Sequence, residues 1–235
     1  SLINLYIPET GVDHKPLHSS PLYLVREFSH CVMLLWRDRL GQISLAVTTL
    51  FWGAGATLQF IVIKWAEVSL NLDLSKSSML QGVVALGVAA GAVAAARSIT
   101  LRKSVTVIPL GIAMGIIVLV MNFVSHMWIA IPLLVIVGAL SGYFVVPMNA
   151  LLQHRGHILM GAGHSIAVQN FNENLSILAM TGLYFLMIRL DLSIYVVITL
   201  FGLFVSGSML LVKRRHEANQ REHDDVIHLD DDCCH

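Results

Sequence analysis

The sequence predicts an all-α membrane protein built as a bundle of about six transmembrane helices. Three observations lead there. Of 235 residues, 56% are hydrophobic and only 13% are charged, against roughly 45–50% and about 25% in soluble domains. Mean hydropathy is +0.72. The charges are also clustered, so that long runs without Asp, Glu, Lys or Arg alternate with short charged connectors. Six mostly apolar runs approach the roughly 20 residues that a helix needs to cross the hydrocarbon.

The six runs are 41–63, 79–97, 105–124, 128–147, 161–188 and 192–212. Connectors between them are short, which makes neighbouring helices antiparallel. Pro147-Met148-Asn149 is read as the end of the fourth helix, and 148–160 as a connector. In that connector Gln153 and Arg155 suit a solvated loop, with Arg155 also a candidate for holding a phosphate. Orientation follows from the basic residues. One side receives Lys15, Arg26, Arg37, Arg39, Arg97, Arg102, Lys103, Arg155, Lys213, Arg214, Arg215 and Arg221; the other receives Lys64, Lys76 and Arg189. Twelve against three places both ends of the six-helix unit in the cytoplasm.

The flanking segments divide the rest. Residues 1–8 read as the last turns of a preceding transmembrane helix, since Ser1-Leu2-Ile3 has neither an initiator Met nor a basic start. Residues 9–40 form a cytoplasmic loop, and 21–39 within it is amphipathic. On a helical wheel Leu24, Val25, Phe28, Val32, Leu35 and Trp36 share one side. Arg26, Ser29, His30 and Arg37 take the other, with Glu27 and Asp38 further round and Met33 and Leu34 as exceptions. A helix at the membrane interface fits this pattern, as does a linker helix packed under the bundle. Residues 213–235 form a polar cytoplasmic tail, disordered apart from a short extension of the last helix.

Several functions are excluded by what is missing. A net charge of zero gives no reason for a nucleic-acid partner. No GxGxxG, GxxxxGK[ST] or calcium-loop pattern occurs, so the chain is not read as an enzyme and no cofactor is implied. His216, His223, His228, His235, Cys233 and Cys234 lack paired metal-ligand spacing and read as a solvated tail rather than a metal site. Cys31 and the tail pair suit a reducing compartment.

The polar residues inside the spans carry the functional signal, because an ionisable group in hydrocarbon costs at least about 2.5–3.5 kcal/mol. Gln169-Asn170-Phe171-Asn172-Glu173-Asn174 sets five polar residues inside 161–188. At about 1.5 Å per residue, Glu173 falls roughly mid-membrane. Gln169 and Glu173 share a face, and Asn170 and Asn174 form the adjacent row. Plain interhelical hydrogen bonding is the bland account of such a cluster. Five polar residues around a carboxylate favour a substrate cavity instead. In the first span, Trp52-Gly53-Ala54-Gly55 gives a closely approachable backbone beside an amphipathic ring, with Gln59 further along. Lys64 and Glu67 read as interfacial. Gly87-x-x-x-Gly91, Gly111-x-x-x-Gly115 and Gly138-x-x-x-Gly142 mark tight helix contacts that would let helices rock.

Three strings carry a family likeness. LFWGAGATLQF (50–60), GYFVVPMNALLQHRG (142–156) and GAGHSIAVQNFNEN (161–174) resemble the bacterial lysophospholipid transporters of the major facilitator superfamily. The likeness runs in order from residue 1 to about 212 and corresponds to that family's C-terminal half. It departs at Gln59, where the family carries a basic residue, and at His164, where the family has Asn. The basic loop motif of the superfamily is reduced to Gly91 and the pair Arg102-Lys103.

The resemblance implies a six-helix half of a major facilitator fold, with two inverted three-helix repeats, 41–124 and 128–212. It implies transport of lysophospholipids, chiefly lysophosphatidylethanolamine, from the outer to the inner leaflet of the bacterial inner membrane. Its implied partners are membrane lipid, the missing N-terminal half, and a cytosolic acyltransferase coupled to acyl-carrier-protein synthetase. Gln169, Asn170, Glu173, Asn174, Trp52 and Gln59 are the expected substrate-binding residues. Two other readings remain: an exporter of another amphiphile or drug, and a non-transporting scaffold for the acyltransferase.

Overall fold

A computed structural model describes residues 21–222, which are all-helical, with no strand among them. Expectations for 1–8, for the start of the 9–40 loop and for the end of the tail lie outside the described residues. α1 spans Pro21–Arg37, α2 Arg39–Ser69 and α3 Leu74–Ser98. A 3-10 helix over Leu101–Val107 leads into α4, Ile108–Val120. α5 (Met127–Met160), α6 (Ala162–Arg189) and α7 (Ile194–Glu222) complete the chain. Six segments, all but α1 and with α4 extended by its flanking 3-10 turns to Leu101–Phe123, are long and apolar enough to cross a membrane. The protein is a multi-pass, all-α membrane protein.

Two boundaries differ from the sequence reading. α5 does not stop at Pro147; it runs through both Pro132 and Pro147 to Met160, and Gly161 alone joins it to α6. Prolines are tolerated in membrane helices because neighbouring groups satisfy the freed carbonyls. Gln153 and Arg155 therefore stand on a helix rather than in a loop. Arg155 is also engaged: its Nη2 lies 2.6 Å from Asp38 Oδ2 and its Nε 3.2 Å from Oδ1. Asp38 in turn accepts from the Gly41 backbone N–H at 2.6 Å, capping α2. One carboxylate thus closes the start of α2 and ties it to α5, and Arg155 is committed to that pair rather than to a phosphate. The second difference is α7, which takes in ten residues of the polar segment; Asn219 is buried there and donates to the Arg39 carbonyl at 3.5 Å.

The glycine patches decide which helices touch. A Cβ on Gly91 would overlap the Ala139 carbonyl oxygen, and one on Gly142 would overlap that of Val88. The Gly87 and Gly138 positions likewise press on Val135 and Val84. α3 and α5 therefore run side by side in the same direction, backbone against backbone, in the longest contact of the bundle. Gly111, Gly115 and Gly202 do the same for the antiparallel pair α4 and α7, against Met209, Ser206 and Leu119. Gly53 meets Ser176 and seats α2 on α6. The patches are close helix seams of the described bundle.

The helix pairings have a symmetry of their own. α3 packs on α5, α2 on α6, and α4 on α7; α2 also meets α5 and α7, while α4 meets α5. Exchanging α2, α3 and α4 for α5, α6 and α7 carries this set of pairings onto itself. The largest apolar cluster gathers Ile61, Trp65, Met121, Leu134, Ile198 and Phe201 from α2, the α4 end, α5 and α7. Trp65 is fully buried there, with Nε1 donating to the Met121 carbonyl at 3.0 Å.

Gly91→Leu forces the α3–α5 seam apart, and overpacking of this kind costs about 1–3 kcal/mol. It is expected to lower the midpoint of thermal unfolding in detergent. A Cβ on Gly82 or Gly207 meets nothing within 4 Å, so Gly82→Ala and Gly207→Ala are expected to hold or raise the midpoint.

Candidate functional site

The polar segment of α6 divides between two environments. Gln169 and Glu173 are buried, one turn apart, and Gln169 Nε2 donates to Glu173 Oε1 at 2.8 Å. The Trp52 side chain from α2 is close enough to the Glu173 carboxylate to interact with it. Gln169 Nε2 also lies 3.3 Å from Asn149 Oδ1 on α5. Three helices thereby contribute to one polar cluster. Asn170 and Asn174 sit on the exposed side of α6, where Asn174 Nδ2 donates to its own helix at the Asn170 carbonyl, 2.7 Å away. Asn172 is turned inward and bonds the Val168 carbonyl at 2.8 Å.

Local sequence explains how this cluster is assembled. Gly53 lets the α2 backbone close on Ser176, which brings the adjacent Trp52 within reach of Glu173. Trp52 nevertheless keeps 41% of its surface exposed. Its ring therefore forms part of the surface of the site beside the carboxylate. Asn149 follows Pro147 by two residues, and it reaches Gln169 only because α5 continues as a helix past that proline.

Of the residues expected to bind substrate, Trp52, Gln169 and Glu173 are brought together. Asn170 and Asn174 are neighbours of that cluster on the adjoining exposed face. Gln59 is exposed about 10 Å further along α2, and its carbonyl accepts from Gln81 Nε2 at 3.0 Å, linking α2 to α3. Asn149 is the residue that sequence reasoning did not place in the site. Its signal was present, a polar residue in an otherwise apolar string, but the proline beside it turned the reading toward a helix end.

Chemically, the cluster offers one carboxylate, two carboxamides and an indole. His164 approaches Glu27 at 3.8 Å near the start of α6, away from this cluster. Among the described residues no group of His, Cys, Asp and Glu is arranged to hold a metal ion. Apolar surface begins two turns beyond Glu173 on the same side of α6. There Met180, Tyr184 and Met187 line a groove with Thr57 and Ile61 of α2 and Leu200 and Phe204 of α7.

Comparison with known proteins finds relatives among membrane transporters. The lysophospholipid transporter of Serratia proteamaculans (strain 568) is 42% identical over 189 residues, covering 80% of this chain and 48% of that protein. Those of Yersinia pestis (strain Pestoides F) and Yersinia pseudotuberculosis serotype O:3 (strain YPIII) are each 42% identical over 190 residues, covering 80% of this chain and 47% of theirs. The chain is a relative of the lysophospholipid transporters. It spans about half the length of the curated relatives it matches. No family model and no solved structure matches it.

Removing a donor from a buried carboxylate leaves it under-bonded, at a cost of about 1–3 kcal/mol. Gln169→Leu and Trp52→Phe are each expected to lower the thermal midpoint in detergent. Because both act on Glu173, the double variant is expected to fall short of the sum. Asn170→Leu, on the exposed face, is expected to leave the midpoint in place.

Proposed function

We propose that the chain is the C-terminal half of a transporter that flips lysophospholipids, chiefly lysophosphatidylethanolamine, from the outer to the inner leaflet of the bacterial inner membrane. The 42% identity to lysophospholipid transporters over 80% of the chain carries this reading. The invariance of the helix pairings under exchange of α2–α4 with α5–α7 supports two inverted repeats of a major facilitator half. The twelve-to-three distribution of Lys and Arg supports cytoplasmic ends for the six-helix unit.

In this reading the headgroup meets the polar cluster and the acyl chain meets apolar helix surface. Gln169, Glu173 and Trp52 line the headgroup site, Asn149 holds Gln169 in place, and Asn170 and Asn174 face the N-terminal half. A single-chain amphiphile needs such a divided surface, because an unsatisfied polar headgroup in hydrocarbon is costly while the tail is indifferent to a lipid-like wall. Flipped lysolipid would then be reacylated by a cytosolic acyltransferase with acyl-carrier-protein synthetase activity. The cluster acts by binding rather than by bond-making, so the chain is not an enzyme.

Proteoliposomes containing the complete twelve-helix polypeptide and fluorescent lysophosphatidylethanolamine test the site. Glu173→Gln keeps the shape and removes the charge; it is expected to insert normally and to reduce uptake about tenfold, the effect of a charged contact worth roughly 1.4 kcal/mol. Leu175→Ala, on the exposed face of α6, is expected to be mild. Full uptake by the Gln variant would remove the charge from the account, and failure to insert would make Glu173 a packing residue. The 235 residues alone are expected not to flip lysolipid; saturable flipping by them would end the half-protein reading. Maleimide labelling of Ser125→Cys from the periplasm and of His157→Cys from the cytoplasm checks the orientation, and the opposite accessibility would reverse it.

A further inference from the structure

α1 presents three different sectors around its axis. Phe28, Cys31, Val32 and Leu35 face the bundle and pack on Leu45, Leu152, Val168 and Leu159. Leu22, Val25, Met33 and Trp36 form the next sector, which also contains Ser29 and is not covered by any described residue: Leu22 is 78% and Val25 65% exposed. Arg26, His30 and Arg37 follow immediately, all exposed. The sequence reading merged the first two sectors into one apolar face; the structure uses only half of that face for packing.

The acidic residues of this region are turned away from the open sectors. Glu27 is directed toward His164 of α6, 3.8 Å away, and Asp38 is held by Arg155 and the Gly41 N–H. The uncovered surface is therefore apolar with a basic border and no carboxylate. The direction of α1 is also defined. Glu27 approaches His164, while its neighbour Phe28 stacks edge-on against Phe171 with ring centroids 5.1 Å apart. Adjacent residues of α1 thus reach points about 10 Å apart along α6, so α1 crosses α6 instead of following it. Its C-terminal end is fixed by the Asp38 cap at the first residues of α2, where a membrane-crossing helix begins.

We propose that α1 is a lipid-binding helix lying in the plane of the bilayer surface. Leu22, Val25, Met33 and Trp36 enter the acyl region, and Arg26 and Arg37 hold the phosphates of anionic phospholipid. A membrane surface satisfies both sectors at once, because the apolar strip and its basic border match the acyl boundary and the headgroup layer above it. The Asp38–Arg155 pair is then a positioning contact: it sets the angle at which α1 leaves α2 and so the depth of the helix. This goes beyond the transport reading and does not rest on it.

Spin-label accessibility tests the proposal on the whole chain in phosphatidylglycerol nanodiscs, with Cys233 and Cys234 replaced by serine and the buried Cys31 retained. Labels at Val25→Cys and Met33→Cys are expected to collide with oxygen severalfold more than with a water-soluble nickel chelate. Labels at Arg26→Cys and His30→Cys are expected to show the reverse. Nickel access at all four sites would place α1 in water and overturn the proposal. Shielding of 25 and 33 from both reagents would mean that protein covers the strip, and would overturn it as well. Arg155→Ala should shift the oxygen preference at Met33→Cys while leaving the spectrum of a label on Leu211 unchanged; no shift at Met33→Cys would remove the positioning role.

Discussion

The constraint on which this structure depends is that hydrocarbon accepts no hydrogen bonds, so every polar group at membrane depth must find its partner in protein. Glu173 is the most demanding case. A carboxylate on α6 is tolerable only if polar partners reach it, and Gln169 of the same helix and Trp52 of α2 do so. Trp52 arrives because Gly53 removes the side chain that would hold α2 off Ser176. Asn149 contributes because α5 stays helical through Pro147. Small residues and polar residues are thus parts of one solution: the glycine seam fixes the distance at which the hydrogen bonds close.

The same economy recurs at the end of the bundle where α1 is attached. Asp38 satisfies two needs with one side chain, capping the first turn of α2 and pairing with Arg155. The pair is largely shielded from solvent, with the side chains 18% and 13% exposed. Loss of either partner would strand the other's charge, which is more damaging than losing both together. The surface pair Lys64–Glu67, at 3.1 Å and open to solvent, carries little weight by comparison.

Much of this was legible in the sequence. The six spans, the carboxylate inside one of them, the glycine contacts and the amphipathic helix before α2 are all written as local pattern: run length, charge interruption, four-residue spacing. What the pattern could not supply was partnership. Pro147 looks like a stop because a lone proline opposes helix propagation, and only the neighbouring helices show that α5 tolerates it. Arg155 looked free for a phosphate because nothing in a linear reading connects it to Asp38, 117 residues earlier. α1 looked two-faced because a helical wheel separates apolar from polar but cannot say which apolar residues meet protein. Asn170 and Asn174 form the row beside Gln169 and Glu173, as their spacing predicts, but the spacing could not say that this row is the exposed one.

The central claim is that the cluster around Glu173 meets the headgroup of a lysophospholipid. The direct measurement is quenching of tryptophan fluorescence by lysophosphatidylethanolamine bearing a nitroxide on its headgroup, with the complete polypeptide in nanodiscs. Trp52 is the tryptophan in the cluster, whereas Trp65 is buried in the apolar core. The account predicts saturable quenching, displaced by unlabelled lysolipid, whose saturable part is largely lost in Trp52→Phe. Quenching that rises linearly with lipid, or saturable quenching that survives Trp52→Phe undiminished, would contradict it.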